Sequence, residues 1–405
     1  MRFARTALLV LALFPALPAA AKEPACMASP TRACILADAL ALARETSDVL
    51  ERGMNFLAIA QTAKRADLIA AAQSLRPALV GPWRHAQLGR EIARVQAALG
   101  HTAEALVTAD TIRDPRVRVE ALTDIAAATR DATLLARARE IAATIRARDW
   151  ESFHQRRNAF TAIATTAATI SHADTALEVC RQVFDESGYF SCFEDILRIF
   201  ADAGNFPDAW RALQPMDAEY ARNAGLAIVA HALIEAKRAD EAREIAGRIT
   251  YLTTRSYVLA HIAAEAKDLA RLREISLAVY QAYHKPNTDN PHHGAYMIRF
   301  GRIIARAGFD DEAMKYASND SVRPYILLGL IDNRIERGAW SEAAAFLAQI
   351  PSDGWADVKL DLGRKILVAL TRAGRPADAA RAGRAMLPDH RVPALMLIYG
   401  AIADP

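Results

Sequence analysis

The chain has 405 residues, with 50 lysines and arginines against 47 aspartates and glutamates and a formal net charge of +3. This balance gives no overall electrostatic attraction to polyanions, so the composition argues against a nucleic-acid-binding protein. Apolar residues make up 52% of the sequence and aromatic residues only 7%. Such a composition predicts a folded, alanine-rich helical protein and argues against a disordered chain.

The first 21 residues have the organisation of a Sec-type signal peptide. Arg2 and Arg5 precede an apolar stretch, 7–14, and residues 19–21 are all alanine, as a signal peptidase requires. The apolar stretch is too short to cross a bilayer, which takes about 20 residues, and no other segment is apolar enough to do so. We therefore expect cleavage after Ala21 and a periplasmic or secreted mature chain with a net charge of about +1.

The four cysteines form two pairs that are close in sequence. Cys26 and Cys34 lie near the expected new N-terminus, and Cys180 and Cys192 flank a glycine-containing turn. Because exported chains meet an oxidising environment, we predict two disulfides, Cys26–Cys34 and Cys180–Cys192, with free buried thiols as the alternative. No Cys-x-x-Cys motif is present, which argues against a redox motif or a cysteine zinc site.

A helical repeat occupies most of the chain. Turn-forming residues recur about every 34 residues, and each is followed five positions later by a small or aliphatic residue that opens a helical stretch. The turn positions are Lys64, Gly100, Thr129, Ser171, Gly204, Lys237, Lys267, Gly308, Gly338 and Gly374. Apolar and small residues at fixed distances from these turns place one apolar stripe on each helix, so the helix pairs must stack.

This periodicity predicts an all-α protein of about ten antiparallel helix pairs over residues 50–387. An N-terminal cap, 22–49, precedes them, and a C-terminal capping helix, 388–405, follows. Two repeats are longer than the rest, those from Thr129 to Ser171 and from Lys267 to Gly308. The prolines and asparagines of 283–294 predict a protruding loop in the second of these.

The pattern resembles the tetratricopeptide (TPR) and TPR-like α-solenoid family. The resemblance rests on the period, on glycine at the turn and on alanine five residues later, and it covers about residues 50–403. The matching pairs are Gly100/Ala105, Gly204/Ala209, Gly308/Ala313, Gly338/Ala343 and Gly374/Ala379. Aliphatic residues replace the family's usual aromatic ones, which leaves other helical-hairpin solenoids open. The resemblance implies a superhelix whose first helices line a groove for peptides or protein surfaces, without a cofactor.

The resemblance assigns partner binding to two polar rows on the first helices. The row six positions before the turn contains Arg94, Arg198, His231, His261, Arg302 and Asp332. The candidates from the row two positions before the turn are Asp202, Glu235, Glu265, Arg306 and Glu336. Arg372 lies in the same row but is not among the candidates. Tyr257, Tyr296 and Tyr325 near the helix starts would add aromatic anchors. The competing interpretation is that both rows are ordinary solvated helix faces.

Two groups of residues are candidate metal ligands. One combines His231, Glu235, His261 and Glu265, and the other lies in the loop with His284, His292 and His293. The alternative is that the first group records one copied repeat and that the second is a solvated loop. The sequence contains no Gly-x-Ser-x-Gly, phosphate-loop or His-Glu-x-x-His motif.

We therefore expect a non-catalytic exported scaffold that binds a protein or peptide partner. The alternative is a bacterial cell-envelope enzyme, or a helical accessory domain similar to the superhelix of a lytic transglycosylase. The repeats continue to within about 20 residues of Pro405. Since catalytic domains usually need about 100 residues or more, this favours the scaffold.

Overall fold

The computed structural model describes residues 30–283, 293–317, 320–351, 355–379 and 388–402. Every regular element in these ranges is a helix, which confirms the predicted all-α class. The chain divides into two compact units. We name them the central unit, Ala43–Tyr251, and the terminal unit, Met1–Leu42 with Leu252–Pro405. The first helix, α1 (Arg32–Glu45), spans the boundary between the two ranges.

The central unit consists of consecutive helical hairpins. In chain order its helices are α2 (Val49–Ala63), α3 (Asp67–Leu75), α4 (Pro82–Ala98), α5 (Thr102–Asp110), α6 (Pro115–Thr129), α7 (Thr133–Thr144), α8 (Trp150–Thr169), α9 (Ala173–Ser187), α10 (Ser191–Asp202), α11 (Phe206–Leu213), α12 (Glu219–Glu235) and α13 (Ala239–Arg248). Each even-numbered first helix packs against the odd-numbered second helix that follows it, and each first helix from α2 to α10 also packs against the next first helix of the unit.

The terminal unit repeats this hairpin order. Its helices are α14 (Leu252–Glu265), α15 (Leu269–Tyr283), α16 (His293–Arg306), α17 (Asp310–Met314), α18 (Arg323–Glu336), α19 (Trp340–Ala348), α20 (Ala356–Arg372) and α21 (Pro388–Ala401). Helix α16 packs against α14 and α18, and α18 packs against α20. Arg32 of α1 donates from Nε to the carbonyl oxygen of Ile402 at 2.9 Å and lies over the Tyr399 ring. The first and last described helices therefore meet within this unit.

Small residues pack the second helices onto the first. All ten residues that lie five positions after a predicted turn are buried. They are Ile69, Ala105, Leu134, Ala176, Ala209, Ala242, Leu272, Ala313, Ala343 and Ala379. Because alanine adds only one methyl group beyond the backbone, a second helix can approach its partner closely at these positions.

The predicted turn residues share one backbone conformation. Nine of the ten have positive φ, from 54° at Lys64 to 88° at Gly308. Two hydrogen bonds close most of these turns in the Schellman arrangement, as where the Asn205 N–H donates to the Phe200 carbonyl oxygen at 2.8 Å and the Gly204 N–H donates to the Ala201 carbonyl oxygen at 2.9 Å. The exception is Thr129, which ends α6 in helical conformation. Its neighbour Arg130 has a φ of 56°, so this predicted turn position was wrong by one residue.

One predicted disulfide falls within the described residues. Cys180 of α9 and Cys192 of α10 are bonded, with a Cα–Cα distance of 5.3 Å, and both side chains are fully buried. The other predicted pair includes Cys26, which lies outside the described residues. So do the predicted signal peptide, 1–21, and residues 284–292 of the predicted loop. Within the described ranges, no helix combines the length and apolar character needed to cross a bilayer.

Candidate functional site

A groove opens between α16, α18 and α20 of the terminal unit and has a volume of about 910 Å³. Four of the predicted partner-binding residues line it, Arg302 and Arg306 from α16 and Asp332 and Glu336 from α18. The other lining residues are Ile335, Trp340, Arg364, Lys365, Val368, Ala369, Arg372 and Ala373. The two predicted polar rows thus meet along one concave surface here.

Two ion pairs connect α16 to α18 along the groove. Arg302 contacts Asp332 at 3.3 Å, and Arg306 contacts Glu336 at 3.1 Å. Within each helix the two residues are four positions apart, which places them on the same face. Both arginine side chains remain about half exposed, and pairs of this kind contribute at most about 1 kcal/mol to stability. Their main effect is to orient charged groups toward the groove.

The spacing of these two helices depends on a glycine. A Cβ atom at Gly329 of α18 would lie 2.5 Å from the Arg302 carbonyl oxygen and 2.8 Å from the Ala305 Cβ. The Arg302 carbonyl oxygen belongs to the backbone of α16 and cannot move aside as the end of a flexible side chain could. Any side chain at Gly329 would therefore push α16 and α18 apart. The close approach brings Arg302 within reach of Asp332 on the neighbouring helix.

Helix α20 supplies three more positive charges to the groove. They belong to Arg364, Lys365 and Arg372. Sequence reasoning placed Arg372 in an exposed row but did not select it, and it missed the other two. Position within the repeat was the available signal, since Val368 lies six positions before the turn at Gly374, and Arg364 and Arg372 lie four positions before and after Val368 on the same helix face.

The groove also has an apolar part. Ile335 of α18 and Trp340 of α19 face Val368 and Ala369 of α20 across the same cavity. Trp340 is half-buried, and its ring lies 3.5 Å from the position that a Cβ atom would take on Gly338. A ligand in this groove would therefore meet apolar side chains as well as charges.

Charged residues also link first helices in the central unit. Arg90 of α4 pairs with Glu120 at 2.7 Å and with Asp124 at 2.8 Å, both on α6. The predicted residue Arg94 donates to Gln61 of α2 at 2.8 Å. Polar residues on this face thus connect neighbouring helices, a structural role beyond that of a solvated surface.

Four more predicted residues lie on α10 and α12. Arg198, Asp202 and Glu235 are exposed, whereas His231 is half-buried. Burial lowers the pKa of His231, the nearby Glu235 carboxylate opposes this shift, and the Arg198 charge adds to it. The imidazole is therefore biased toward its neutral form.

The three predicted residues of α14 differ in exposure. Glu265 is exposed and His261 is half-buried. Tyr257 is only 9% exposed, and its ring stacks on Phe300 of α16 at a centroid distance of 5.2 Å. Its ring therefore packs in the core of the terminal unit and is not an exposed aromatic anchor.

Exposed aromatic residues were missed at the helix starts of the central unit. Trp150 is 69% exposed at the start of α8, and Tyr189, Tyr220 and Tyr251 lie at the starts of later helices with exposures of 46%, 53% and 40%. The signal was present in the sequence as an aromatic residue within a few positions of each predicted start. Sequence reasoning sought these anchors only in the later repeats.

Neither predicted metal group is assembled in the described residues. Within them, no three histidine, cysteine, aspartate or glutamate side chains are placed to hold a metal ion. His284 and His292 lie outside the described residues, as does the side chain of His293. No protein-family model and no curated protein sequence matches this chain.

Proposed function

We propose that this chain is a non-catalytic exported scaffold that binds a protein or peptide partner in the groove between α16, α18 and α20. The observation that carries the proposal is the convergence of Arg302, Arg306, Asp332 and Glu336 on one open surface. All four occupy the repeat positions to which the TPR-like resemblance assigns partner binding.

The proposal includes a TPR-like α-solenoid architecture. The recurring left-handed turns and the buried residue five positions after each turn support it, because both are properties of one repeated helix pair. Stacked helix pairs form extended concave surfaces, which repeat proteins use for binding.

Export is the second part of the proposal. The signal-peptide pattern of residues 1–21 supports a periplasmic or secreted location. The Cys180–Cys192 disulfide is compatible with an oxidising compartment, where such bonds persist.

Site-specific crosslinking in cells tests the groove. The photoreactive residue p-benzoylphenylalanine replaces Val368, which lines the groove. Because the crosslinker reacts only with groups in contact, we expect irradiation to produce discrete higher-mass protein adducts, detected by immunoblotting and identified by mass spectrometry. The same replacement at Val107, a 67% exposed valine on α5, is the matched control and should give none.

Equal adduct patterns at the two positions would reject the groove as the binding surface. Adducts from Val107 alone would move the interaction to the second helices. Either result would contradict the proposal even if the protein were a scaffold.

A further inference from the structure

The charge of the groove is unbalanced. Its lining contains five cationic side chains and two anionic ones, an excess of three positive charges. The entire chain of 405 residues has a formal net charge of only +3. The groove therefore concentrates positive charge that the rest of the surface lacks, and a cleft focuses such a field toward a ligand.

The excess belongs to α20. Arg302 and Arg306 face Asp332 and Glu336, so these four residues carry no net charge together. The other three cationic side chains of the lining, Arg364, Lys365 and Arg372, all lie on α20. Among the described residues, Arg372 makes no ion pair. Lys365 contacts Asp361 at 3.4 Å, but both side chains are more than half exposed, so that pair is weak.

The acidic and apolar residues of the lining limit which kind of anionic ligand fits the groove. Asp332 and Glu336 would repel a continuous polyanion such as a nucleic acid or polyphosphate, whereas Ile335, Trp340 and Val368 offer an apolar surface that such polymers cannot use. The volume of about 910 Å³ is near the upper end of ligand pockets, which hold about 300–1,000 Å³. An extended peptide segment supplies both carboxylates and apolar side chains.

We propose that the groove selects an acidic peptide segment with interspersed apolar residues, and that Arg364, Lys365 and Arg372 recognise its carboxylates. This inference rests on the proposed function, because it assigns a chemical class to the partner of the same groove. Apolar side chains of the segment lie against Ile335 and Trp340, and the ion pairs between α16 and α18 remain intact.

Fluorescence anisotropy with the full-length protein tests the preference. The probes are three labelled peptides of equal length in which every third residue is leucine and the others are glutamate, glutamine or lysine. We expect the glutamate peptide to bind at least tenfold more tightly than the glutamine peptide, with the lysine peptide weakest, because several close charge pairs form together. Added salt should reduce the difference.

Two variants test whether the cationic residues of α20 cause the preference for the glutamate peptide. The triple variant Arg364→Glu, Lys365→Glu and Arg372→Glu should lose at least tenfold in affinity for the glutamate peptide and prefer the lysine peptide, a reversal that misfolding cannot produce. The single variant Arg372→Gln should weaken the glutamate peptide about threefold without altering the fold. The control variant Arg243→Glu, Arg248→Glu and Arg271→Glu changes the charge equally on α13 and α15 and should bind as the unmodified protein does.

Several results would overturn the inference. The first two are equal affinity for the glutamate and glutamine peptides, and a preference for the glutamate peptide that survives in the triple variant. The others are absence of binding by any of the three peptides, and displacement of a bound peptide by polyphosphate, single-stranded DNA or anionic lipid vesicles more effectively than by the unlabelled glutamate peptide. If the preference fails while crosslinks from position 368 persist, the groove still binds a partner of another chemistry. If those crosslinks are absent, the proposed function itself fails.

Discussion

Glu312 joins two helices of the terminal unit through charged hydrogen bonds. Its carboxylate accepts from Arg273 of α15 at 2.5 Å and from Lys315 at 2.8 Å. These bonds, with that of Arg273 the strongest, lower the pKa of Glu312 from 4.5 to about 2 against an opposing effect of burial. Because the folded protein holds this carboxylate ionised, its contribution to stability is complete above the unfolded pKa and lost as the pH falls toward about 2.

We therefore predict a pH-dependent cost for Glu312→Gln. At pH 7 the variant should be less stable by about 1 kcal/mol, a value discounted because Arg273 and Lys315 are more than half exposed. The difference should shrink steadily below pH 4.5. Urea unfolding of both proteins between pH 7 and pH 3 measures it. Glu274→Gln, which breaks an exposed pair with Arg271, is the control and should show almost no difference at any pH.

The turns that end the first helices depend on a backbone conformation suited to glycine. Gly204 has a φ of 70°, and no atom lies within 4 Å of the position that a Cβ would take. A side chain at this position would therefore destabilise the protein only through backbone strain, and not through a steric clash. Gly247, within helix α13 of the same unit, has equally open surroundings but no positive φ.

These two glycines give opposite predictions for one substitution. Gly204→Ala should destabilise the protein by about 1 kcal/mol, because alanine is strained at positive φ. Gly247→Ala should stabilise it by about 0.5–1 kcal/mol, because alanine favours the helix and restricts the unfolded chain. Thermal unfolding of both variants measures the difference. Changes of the same sign would contradict a role for the left-handed turn.

The helical repeat could be predicted because its turns have a local cause. A left-handed residue favours glycine, and the packing of the second helix requires a small residue five positions later, so both mark the sequence directly. The shift from Thr129 to Arg130 was not predictable. Arginine at positive φ leaves no compositional signal, whereas the non-glycine turns at Lys237 and Lys267 were predicted from the period and do have positive φ.

The groove was only partly predictable. Arg302, Arg306, Asp332 and Glu336 followed from repeat positions, since one face of a helix recurs with the period. Their contacts across α16 and α18 depend on the close approach at Gly329, a distance that no periodicity contains. Burial of Tyr257 against Phe300 is likewise a property of packing between helices, which one helix's sequence does not reveal.

The disulfide is a covalent constraint on the central unit. It closes a short loop between α9 and α10, twelve residues apart in sequence, and both sulfurs lie in the core. Since a crosslink restricts the unfolded chain more than the folded one, a loop of this size contributes about 2–4 kcal/mol to stability.

We predict that reductant lowers the free energy of unfolding of the native protein by about 2–4 kcal/mol, and with it the midpoint of urea denaturation. The double variant Cys180→Ala and Cys192→Ala should begin at the lower midpoint, and reductant should change it little, because the bond is already absent. Peptide mapping without reduction should recover Cys180 and Cys192 in one linked fragment. Alkylation of both thiols in the unreduced, unfolded protein would contradict the pairing.

The hydrogen bond between Arg32 and Ile402 has a consequence for biosynthesis. These partners are 370 residues apart, and the terminal unit takes its residues from both ends of the chain. All residues of the central unit are made, and can complete their hairpins, while α16 to α21 are still being synthesised. The terminal unit cannot finish folding until its last residues have been made. Almost the whole chain is therefore translated before α1 can form its contact with Ile402. A chain truncated before α21 would thus lose a contact made by its first helix, although every residue of that helix is present.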